Sequence, residues 1–184
     1  MFIQVANLVQ KGALRYNNKP EYLILHHAEM NGDVMAVNQV HIARGFVMIG
    51  YNYYVRKDGS IWRGRPEAAT GANCYGYNDK SVSICAEGNF MVDTMSEVQE
   101  QAILVLAIYI EKEYGGKLIV KGHKECSPTD CPGTNYPLQD IKNKILLGRI
   151  DTMNIKDLQL FLNSLGVKND IDGKALVIDG DEGA

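Results

Sequence analysis

Two distant segments of the chain carry side chains that can hold a metal ion. The first spans residues 122–133, reads GHKECSPTDCPG, and places His123 and Cys131 eight positions apart in a loop bounded by Gly and Pro. The second is an apolar run that ends in His26 and His27. Two imidazoles and one thiolate can fill three corners of a zinc tetrahedron and leave the fourth for water, which is the ligand count of a catalytic zinc. Together the two segments predict a catalytic metal site.

The order of the motifs resembles that of the zinc-dependent N-acetylmuramoyl-L-alanine amidases, the family shared by bacteriophage lysins and peptidoglycan recognition proteins. In that family an apolar strand ends in a ligand His, a Gly-Tyr-Asn-Tyr-type strand follows, and a Gly-His…Thr-x-Cys-Pro-Gly segment comes last. The resemblance runs in order from about residue 20 to residue 146. The matching segments are Leu25–His27, Gly50–Tyr54, Arg56–Gly59, Gly64–Pro66, Glu87–Phe90, Gly122–His123 and Thr129–Gly133.

The resemblance implies a reaction, a metal and a partner. Members of the family are zinc hydrolases that cleave the amide bond between N-acetylmuramic acid and L-alanine, so we expect Zn²⁺ as the cofactor and bacterial peptidoglycan as the partner. The first His of the pair binds the metal in the family, which assigns His26, His123 and Cys131 as ligands. His27 points to the opposite face if the strand continues. Three alternatives stay open: a non-catalytic peptidoglycan-binding module, an endopeptidase that cuts within the stem peptide, and a zinc-stabilised interaction protein.

Three further residues are candidates for the chemistry. Tyr51 occupies the family's second catalytic position, and a phenol with a pKa of about 10 is a hydrogen-bond donor at neutral pH. Thr129 stands where some relatives carry Lys, and its hydroxyl can donate a hydrogen bond to the oxyanion. Some relatives carry a strand Glu as general base, and the aligned residue here is Cys85. Glu87, on the same face of the strand, is the substitute candidate; a solvated strand end is its alternative role.

Cys126 is an addition to the family pattern, and Asn73 is a departure from it. Cys126 precedes Cys131 by five positions. It could be a fourth metal ligand, which would quench the activity and leave a structural zinc clip, or a disulfide partner. Asn73 stands where many relatives carry His. It can hydrogen-bond substrate, but it cannot shuttle a proton.

Four polar side chains are candidates for substrate recognition. Arg63 and Arg65 can meet the carboxylates of a stem peptide through bidentate pairs. Asn78 and Asn89 can bind amide or sugar hydroxyl groups. Ordinary surface or turn chemistry is the alternative for all four. His41 matches a helix His of the family and is expected to be structural.

The elements that would position these residues form an α/β fold. Five short runs rich in β-branched, aromatic and apolar residues predict strands, and three longer runs predict helices, which gives a mixed central β-sheet flanked by helices. Residues 57–59 turn the second strand into the third as a hairpin, and a capping box of Ser96 and Gln99 begins the longest helix. The predicted strands are Tyr22–His26, Tyr51–Arg56, Ser60–Arg63, Ser81–Glu87 and Lys117–Val120, and the predicted helices are Val34–Arg44, Ser96–Tyr114 and Leu138–Leu147.

Composition bounds the domain organisation and the cellular setting. The 184 residues suit one buried domain, predicted as the catalytic domain at 1–150, followed by a short helical appendage at 151–184 that reads as a linker and the truncated start of a peptidoglycan-binding module. A formal net charge of -3 argues against a nucleic-acid partner, and the lack of a long apolar run argues against membrane insertion. The start of the chain has no signal-peptide pattern. This favours synthesis in the host cytoplasm and action on the cell wall after release, as in a phage endolysin. The oligomeric state stays open.

Overall fold

The structure is a computed structural model that describes residues 2–150. Within them a six-stranded sheet carries one helix on one face and two on the other, which confirms the predicted mixed α/β class. The appendage predicted at 151–184 lies outside the described residues. The strands are β1 (Ile3–Val5), β2 (Tyr22–His27), β3 (Tyr53–Val55), β4 (Ile61–Arg63), β5 (Ser81–Ala86) and β6 (Ile119–Gly122), and the helices are α1 (Val34–Ala43), α2 (Glu97–Glu113) and α3 (Leu138–Ile150).

The strand order places the candidate ligands at one end of the sheet, where parallel strands finish. The order is β1-β4-β3-β5-β2-β6, and β2 runs parallel to both of its neighbours. Leu25 of β2 lies opposite Ile84 of β5 and Gly122 of β6. The carboxyl ends of three adjacent parallel strands therefore meet at the same edge, the usual position of a binding site in such sheets.

Side chains of the central strands alternate between two apolar layers. Tyr53 and Val55 pack into the layer that contains α2 and α3, whereas Tyr54 packs on the opposite face with Val34 and Val37 of α1. Because helices cover both faces, β3 and β5 are buried along their whole length, as expected for the centre of a largely parallel sheet.

The longest helix begins where the sequence predicts, but only half of its predicted cap forms. Ser96 Oγ accepts a hydrogen bond from Gln99 N at 3.3 Å. The reciprocal bond predicted for the Gln99 side chain is wrong. Gln99 Nε2 instead donates to the carbonyls of Val55 and Glu87, at 3.1 and 2.9 Å. Because Gln99 is buried against the sheet, its amide satisfies two strand-end carbonyls that water cannot reach.

All five predicted strands differ from their predicted bounds by at least one residue, and a sixth strand was not predicted. The largest differences are at β3 and at β6, which spans Ile119–Gly122 and not Lys117–Val120. β3 begins at Tyr53 and not at Tyr51. The Asn52 carbonyl still accepts a backbone bond from Gly64 N at 2.8 Å, but on the β5 side of Asn52 side chains take the place of backbone pairing. Asn52 N donates to Ser83 Oγ at 3.1 Å, and Ser83 N donates to Asn52 Oδ1 at 2.9 Å. The short strand β1, which pairs in parallel with β4, has no sequence prediction. Among residues 2–150, no helix combines the length and apolarity needed to cross a bilayer.

Candidate metal centre

The two candidate imidazole ligands come from adjacent strand ends. Leu25 and Gly122 face each other across β2 and β6, so His26 and His123 follow side by side. Their ring centroids are 4.6 Å apart. His26 is fully buried and His123 is half-buried. The parallel register of two strands thus brings together two residues that are distant in the sequence.

A loop that folds back on β2 delivers the sulfur. Cys131 Sγ lies 3.6 Å from His26 Nδ1, and Lys124 N donates to the Cys131 carbonyl at 2.7 Å to close the loop. The backbone N–H of His27 points at the same sulfur, with an N···S distance of 3.4 Å. Sequence reasoning missed this contact because it comes from the main chain.

The loop leaves the site through a position that only glycine can fill. Gly133 has φ 105°, and a Cβ there would lie 2.4 Å from the carbonyl carbon of Phe90. The imidazole of His27 lies on the same side, where its Nδ1 accepts from Phe90 N at 3.0 Å. His27 is therefore turned away from His26, as predicted for a continuing strand.

The three side chains fit a tetrahedral zinc ion. One ligand atom from each of His26, His123 and Cys131 lies within 4.8 Å of the other two. Zinc bonds of about 2.0–2.1 Å to nitrogen and 2.3 Å to sulfur separate these two atoms by about 3.5 Å in a tetrahedron. The observed separation of His26 Nδ1 from Cys131 Sγ is 3.6 Å. Two imidazoles and a thiol are also the donor types that zinc favours.

Burial sets the protonation of the metal-free site. Burial and the neighbouring His123 hold the pKa of His26 well below its usual range. Burial, then His27, lowers the pKa of His123, so both imidazoles are neutral at pH 7 and have a free lone pair. Burial raises the pKa of the Cys131 thiol to about 12, although the N–H of His27 opposes this. A metal ion must therefore displace the thiol proton.

Tyr51 lies beside the cluster. Its ring centroid is 5.1 Å from that of His26 and 5.3 Å from that of His41. Burial, together with the Cys85 and Cys131 thiols, raises the pKa of Tyr51 well above its usual value, so its hydroxyl is a donor at neutral pH. His41 has the structural role expected of it, because its Nδ1 accepts from the backbone N–H of Gly50 at 2.9 Å and so fixes the chain next to Tyr51.

Two clefts meet at the cluster. One, of about 250 Å³, contains Glu29, Arg44 and Tyr51. The other, of about 620 Å³, is lined mainly by residues of the 72–78 and 127–129 loops. His123 and Thr129 line both clefts. The Thr129 Oγ1 accepts from Cys131 N at 3.3 Å, which leaves its hydroxyl proton to donate elsewhere.

Glu87, the candidate general base, lines neither of the two clefts at the cluster, and its carboxylate has other partners. Its carboxylate accepts hydrogen bonds from Gly32 N at 2.8 Å, Lys57 N at 3.1 Å and Arg56 Nε at 3.1 Å. Burial opposes ionisation of Glu87, but the bonds from Arg56 and the two amides outweigh it and lower the pKa. The side chain is 5% exposed, so the alternative role of Glu87 as a solvated strand end is wrong. Glu87 joins two loops to the sheet.

Cys126 is separate from the candidate ligands. All four cysteines are free in the described residues, so no disulfide joins Cys126 to Cys131. The metal-ligating group found among residues 2–150 does not include Cys126. Its thiol interacts with that of Cys74 instead. The fourth corner of the tetrahedron is therefore not filled by this sulfur.

The two arginines predicted to bind substrate have partners within the protein. The Arg65 guanidinium is buried, and it donates to the carbonyls of Ile49 at 2.9 Å and Thr70 at 3.0 Å. Arg63 forms an ion pair with Glu67, with an N···O distance of 3.7 Å. Arg65 is thus a structural residue, and its predicted role at the stem peptide is wrong.

The two asparagines predicted to bind substrate hold turns. Asn78 Oδ1 accepts from the backbone N–H groups of Asn73 and Cys74, at 2.9 and 3.0 Å. Asn89 Oδ1 accepts from Met91 N at 3.0 Å. Turn chemistry, the alternative at both positions, accounts for them.

Comparison with known proteins gives one family and several individual relatives. The profile of the family described as N-acetylmuramoyl-L-alanine amidase matches residues 16–134. The endolysin of Klebsiella phage KP32 is 28% identical over 124 residues, covering 65% of this chain and 82% of that protein. Peptidoglycan-recognition protein SC2 of Drosophila melanogaster is 29% identical over 131 residues, covering 64% and 71%. The solved structure of N-acetylmuramoyl-L-alanine amidase LysC from Clostridium intestinale is 34% identical, has a TM-score of 0.76, and is matched over 98% of its length and 79% of this chain.

Proposed function

The chain belongs to the N-acetylmuramoyl-L-alanine amidase family, and we propose that it is a zinc hydrolase that cleaves the amide bond between N-acetylmuramic acid and L-alanine of bacterial peptidoglycan. Family membership supports the reaction, and the cluster of His26, His123 and Cys131 supports the metal. Similarity to phage endolysins supports a role in host lysis. In that role the enzyme is made in the host cytoplasm and reaches the wall once the membrane is opened.

The observation that carries the proposal is a three-donor cluster with no fourth protein ligand among residues 2–150. His26 and His123 offer neutral nitrogens, and Cys131 offers a sulfur whose proton leaves when a cation binds. When bound there, zinc supplies a Lewis acid that polarises a carbonyl and activates water at neutral pH. The backbone N–H of His27 donates to the sulfur and stabilises the thiolate form.

Two hydroxyl groups are placed to stabilise negative charge on the substrate. The phenol of Tyr51 stays protonated at neutral pH and lies beside the His26 ring, so it can donate to the oxygen of the scissile carbonyl as charge develops. The hydroxyl of Thr129 accepts from Cys131 N, and this orients its own proton away from that amide. Tyr51 lies between Gly50 and Asn52, whose backbone amides are both hydrogen-bonded, and Thr129 lies in a closed loop. Both donors are therefore held in place before the reaction, as oxyanion stabilisation needs.

The two clefts match the two halves of the substrate. The scissile amide joins a sugar to a peptide, so groups of different chemistry must extend to either side of the reacting carbon. The cluster lies where the 250 Å³ and 620 Å³ clefts meet. Arg44 and Glu29 give the smaller cleft one charge of each sign, which suits a stem peptide that carries both carboxylates and amines. The larger cleft would then take the muramoyl sugar.

Analysis of digested cell wall tests the proposal. Purified protein is incubated with isolated peptidoglycan, and the products are analysed by mass spectrometry. We expect stem peptides with a free amine on L-alanine, loss of activity on chelation, and recovery on addition of zinc. Cys131→Ser, which removes one donor, should be inactive while it keeps its fold by circular dichroism.

Other outcomes identify the alternatives. A new amine on a residue within the stem would identify an endopeptidase. Wall binding without any released amine would identify a non-catalytic recognition module. Hydrolysis that persists through prolonged chelation, with no metal detected, would contradict the zinc mechanism.

A further inference from the structure

Two lysines and two tyrosines form a compact group on the surface of the sheet. The rings of Tyr22 and Tyr77 pack edge to face, with their centroids 4.9 Å apart. Lys80 Nζ lies 5.9 and 4.9 Å from the centroids of Tyr22 and Tyr77. Lys121 Nζ lies 5.7 and 5.8 Å from the same two centroids. All four residues are partly exposed, and together they are called the cationic platform below.

Backbone hydrogen bonds and strand pairing hold the platform in place. Tyr22 N donates to the Lys80 carbonyl at 3.1 Å, and Lys80 N donates to the Tyr77 carbonyl at 3.2 Å. Lys121 lies on β6, opposite Ile24 of β2. The fold therefore brings two cations to the same pair of rings from separate segments of the chain.

The charges of both lysines are available to a ligand. Among residues 2–150, no carboxylate forms an ion pair with either ammonium group. The Glu125 carboxylate feels the charge of Lys121, but it accepts hydrogen bonds from Lys142 Nζ at 2.8 Å and Gly122 N at 2.7 Å. An aromatic ring attracts a cation but does not cancel its charge. The platform therefore has two positive charges that an anion can meet.

The platform lies on the same face of the sheet as the metal cluster. Tyr22 and His26 are four residues apart on β2, so their side chains point to one face, about 13 Å apart along the strand. Tyr77 N donates to the carbonyl of Cys74 at 3.0 Å. Cys74 and Asn78 line the larger cleft. One wall of that cleft is therefore continuous with the platform.

The proposed reaction creates an anion on the sugar side of each cut. Hydrolysis breaks the C–N bond of the lactyl amide, so water supplies the oxygen of a new lactyl carboxylate and the peptide leaves with a free amine. At neutral pH a digested glycan strand thus carries one negative charge at every muramic acid that has lost its peptide. Because the larger cleft would take the muramoyl sugar, neighbouring sugars of the same strand extend beyond it.

We propose that the cationic platform binds lactyl carboxylates of a glycan strand that has already lost some of its peptides. The inference rests on the proposed function and deepens it, because it names the form of the polymer to which the enzyme holds. Lys80 and Lys121 meet the carboxylates of sugars next to the reacting one. The enzyme therefore stays on a partly digested strand, and the platform does not touch the reacting atoms.

Binding to prepared glycan strands tests the inference without relying on catalysis by this chain. Strands freed of their peptides by a separate amidase carry lactyl carboxylates, and a second batch has these groups capped as neutral methylamides. Calorimetry gives the dissociation constants of the full chain as wild type and as the double variant Lys80→Gln/Lys121→Gln. The matched control is Lys112→Gln/Lys144→Gln, which removes the same charge from α2 and α3 on the opposite face of the sheet.

The platform variant should lose affinity only for charged strands. An exposed ion pair contributes up to about fivefold to an equilibrium constant, so the variant should bind uncapped strands about 5–30-fold more weakly than wild type. Wild type should prefer uncapped to capped strands by a similar factor, and the control should bind both as wild type does. On a soluble muropeptide with a single muramic acid, kcat should be unchanged in both variants, because that substrate has no second sugar to reach the platform.

Four results would overturn the inference. Three are equal binding of capped and uncapped strands, wild-type affinity in the platform variant, and an equal loss of affinity in the control. The fourth is tighter lysine-dependent binding of a glycerol-phosphate polymer, because the occupant would then be a phosphodiester. If the chain releases L-alanine amines but does not bind uncapped strands, the proposed function stands while the inference falls. If it binds them through the platform but releases no amine, the carboxylate site stands and the proposed function falls.

Discussion

Replacing Tyr51 by Phe isolates the contribution of one hydroxyl group to catalysis. The ring lies 5.1 and 5.3 Å from the rings of His26 and His41, measured between centroids, and Phe preserves this packing. Because burial keeps the phenol protonated, the wild-type hydroxyl is a donor throughout the neutral range. Loss of one donor to a developing oxyanion costs about 2.7–4 kcal/mol, or about 10²–10³-fold in kcat.

The assay measures kcat and KM on a soluble muropeptide, with full zinc occupancy verified by elemental analysis. We expect the fall in Tyr51→Phe to lie in kcat, with zinc affinity and thermal stability close to wild type, because the lost bond is made in the transition state. Tyr54→Phe is the matched control. The Tyr54 hydroxyl donates to the Gly32 carbonyl at 2.8 Å on the α1 face, so its loss should lower stability by about 0.5–1.5 kcal/mol and leave kcat unchanged.

The result that refutes this reasoning is specific. If zinc-loaded Tyr51→Phe retains kcat within about threefold of wild type, the hydroxyl contributes no substantial transition-state stabilisation. Tyr51 would then be a packing residue for His26, and the oxyanion would depend on Thr129 and the metal alone.

The Glu87 carboxylate and the thiols of Cys126 and Cys131 give four more tests. Glu87→Gln should lower the free energy of unfolding by about 3 kcal/mol, because one of the amide and guanidinium donors loses its acceptor. The kcat of the zinc-loaded variant should stay near that of wild type. A collapse of kcat in a folded variant would return Glu87 to the mechanism. The pKa of Glu87 is lower in the folded protein than in the unfolded chain. Its contribution to stability is therefore present above the unfolded pKa of about 4.3 and is lost as the pH falls through the folded pKa. Acid titration should accordingly bring the stabilities of wild type and Glu87→Gln together. Zinc uptake at pH 7 should release about one proton per ion, from the Cys131 thiol with its pKa of about 12. Calorimetry in buffers of different ionisation enthalpy measures this number. A value near zero or two would contradict a ligand set of two neutral imidazoles and one thiol. Cys126→Ser should keep one zinc per chain and wild-type activity, whereas Cys131→Ser should lose both, and a loss of zinc in Cys126→Ser would make Cys126 a ligand.

Local patterns in the sequence predicted the central strands, and the resemblance to the amidase family predicted which residues of those segments form the cluster. An apolar run that ends in His26, and a Gly-His pair after a second strand, place both imidazoles at the carboxyl edge of a parallel sheet. The contacts that refine the site are not local. The N–H of His27 reaches Cys131 across 104 positions in the sequence, and no pattern in either segment encodes that meeting.

The failures have a common physical cause: alternation gives the face on which a side chain lies, but not its partners. Glu87 lies on the predicted strand, yet donors from Gly32 and Lys57 occupy its carboxylate. Gln99 has the spacing of a capping box, yet its buried amide reaches carbonyls of the sheet. The edge strand Ile3–Val5 has three residues, which is too short to give a periodic signal. Its pairing with β4 comes from the tertiary fold.

X-ray absorption at the zinc edge of the purified, zinc-loaded protein tests the central claim most directly. We expect one sulfur at about 2.3 Å, two imidazole nitrogens at about 2.0–2.1 Å, and one further light atom from solvent. Two sulfurs in the coordination shell, or a set of light atoms with no sulfur, would contradict a site built from His26, His123 and Cys131 with one position left for the reaction.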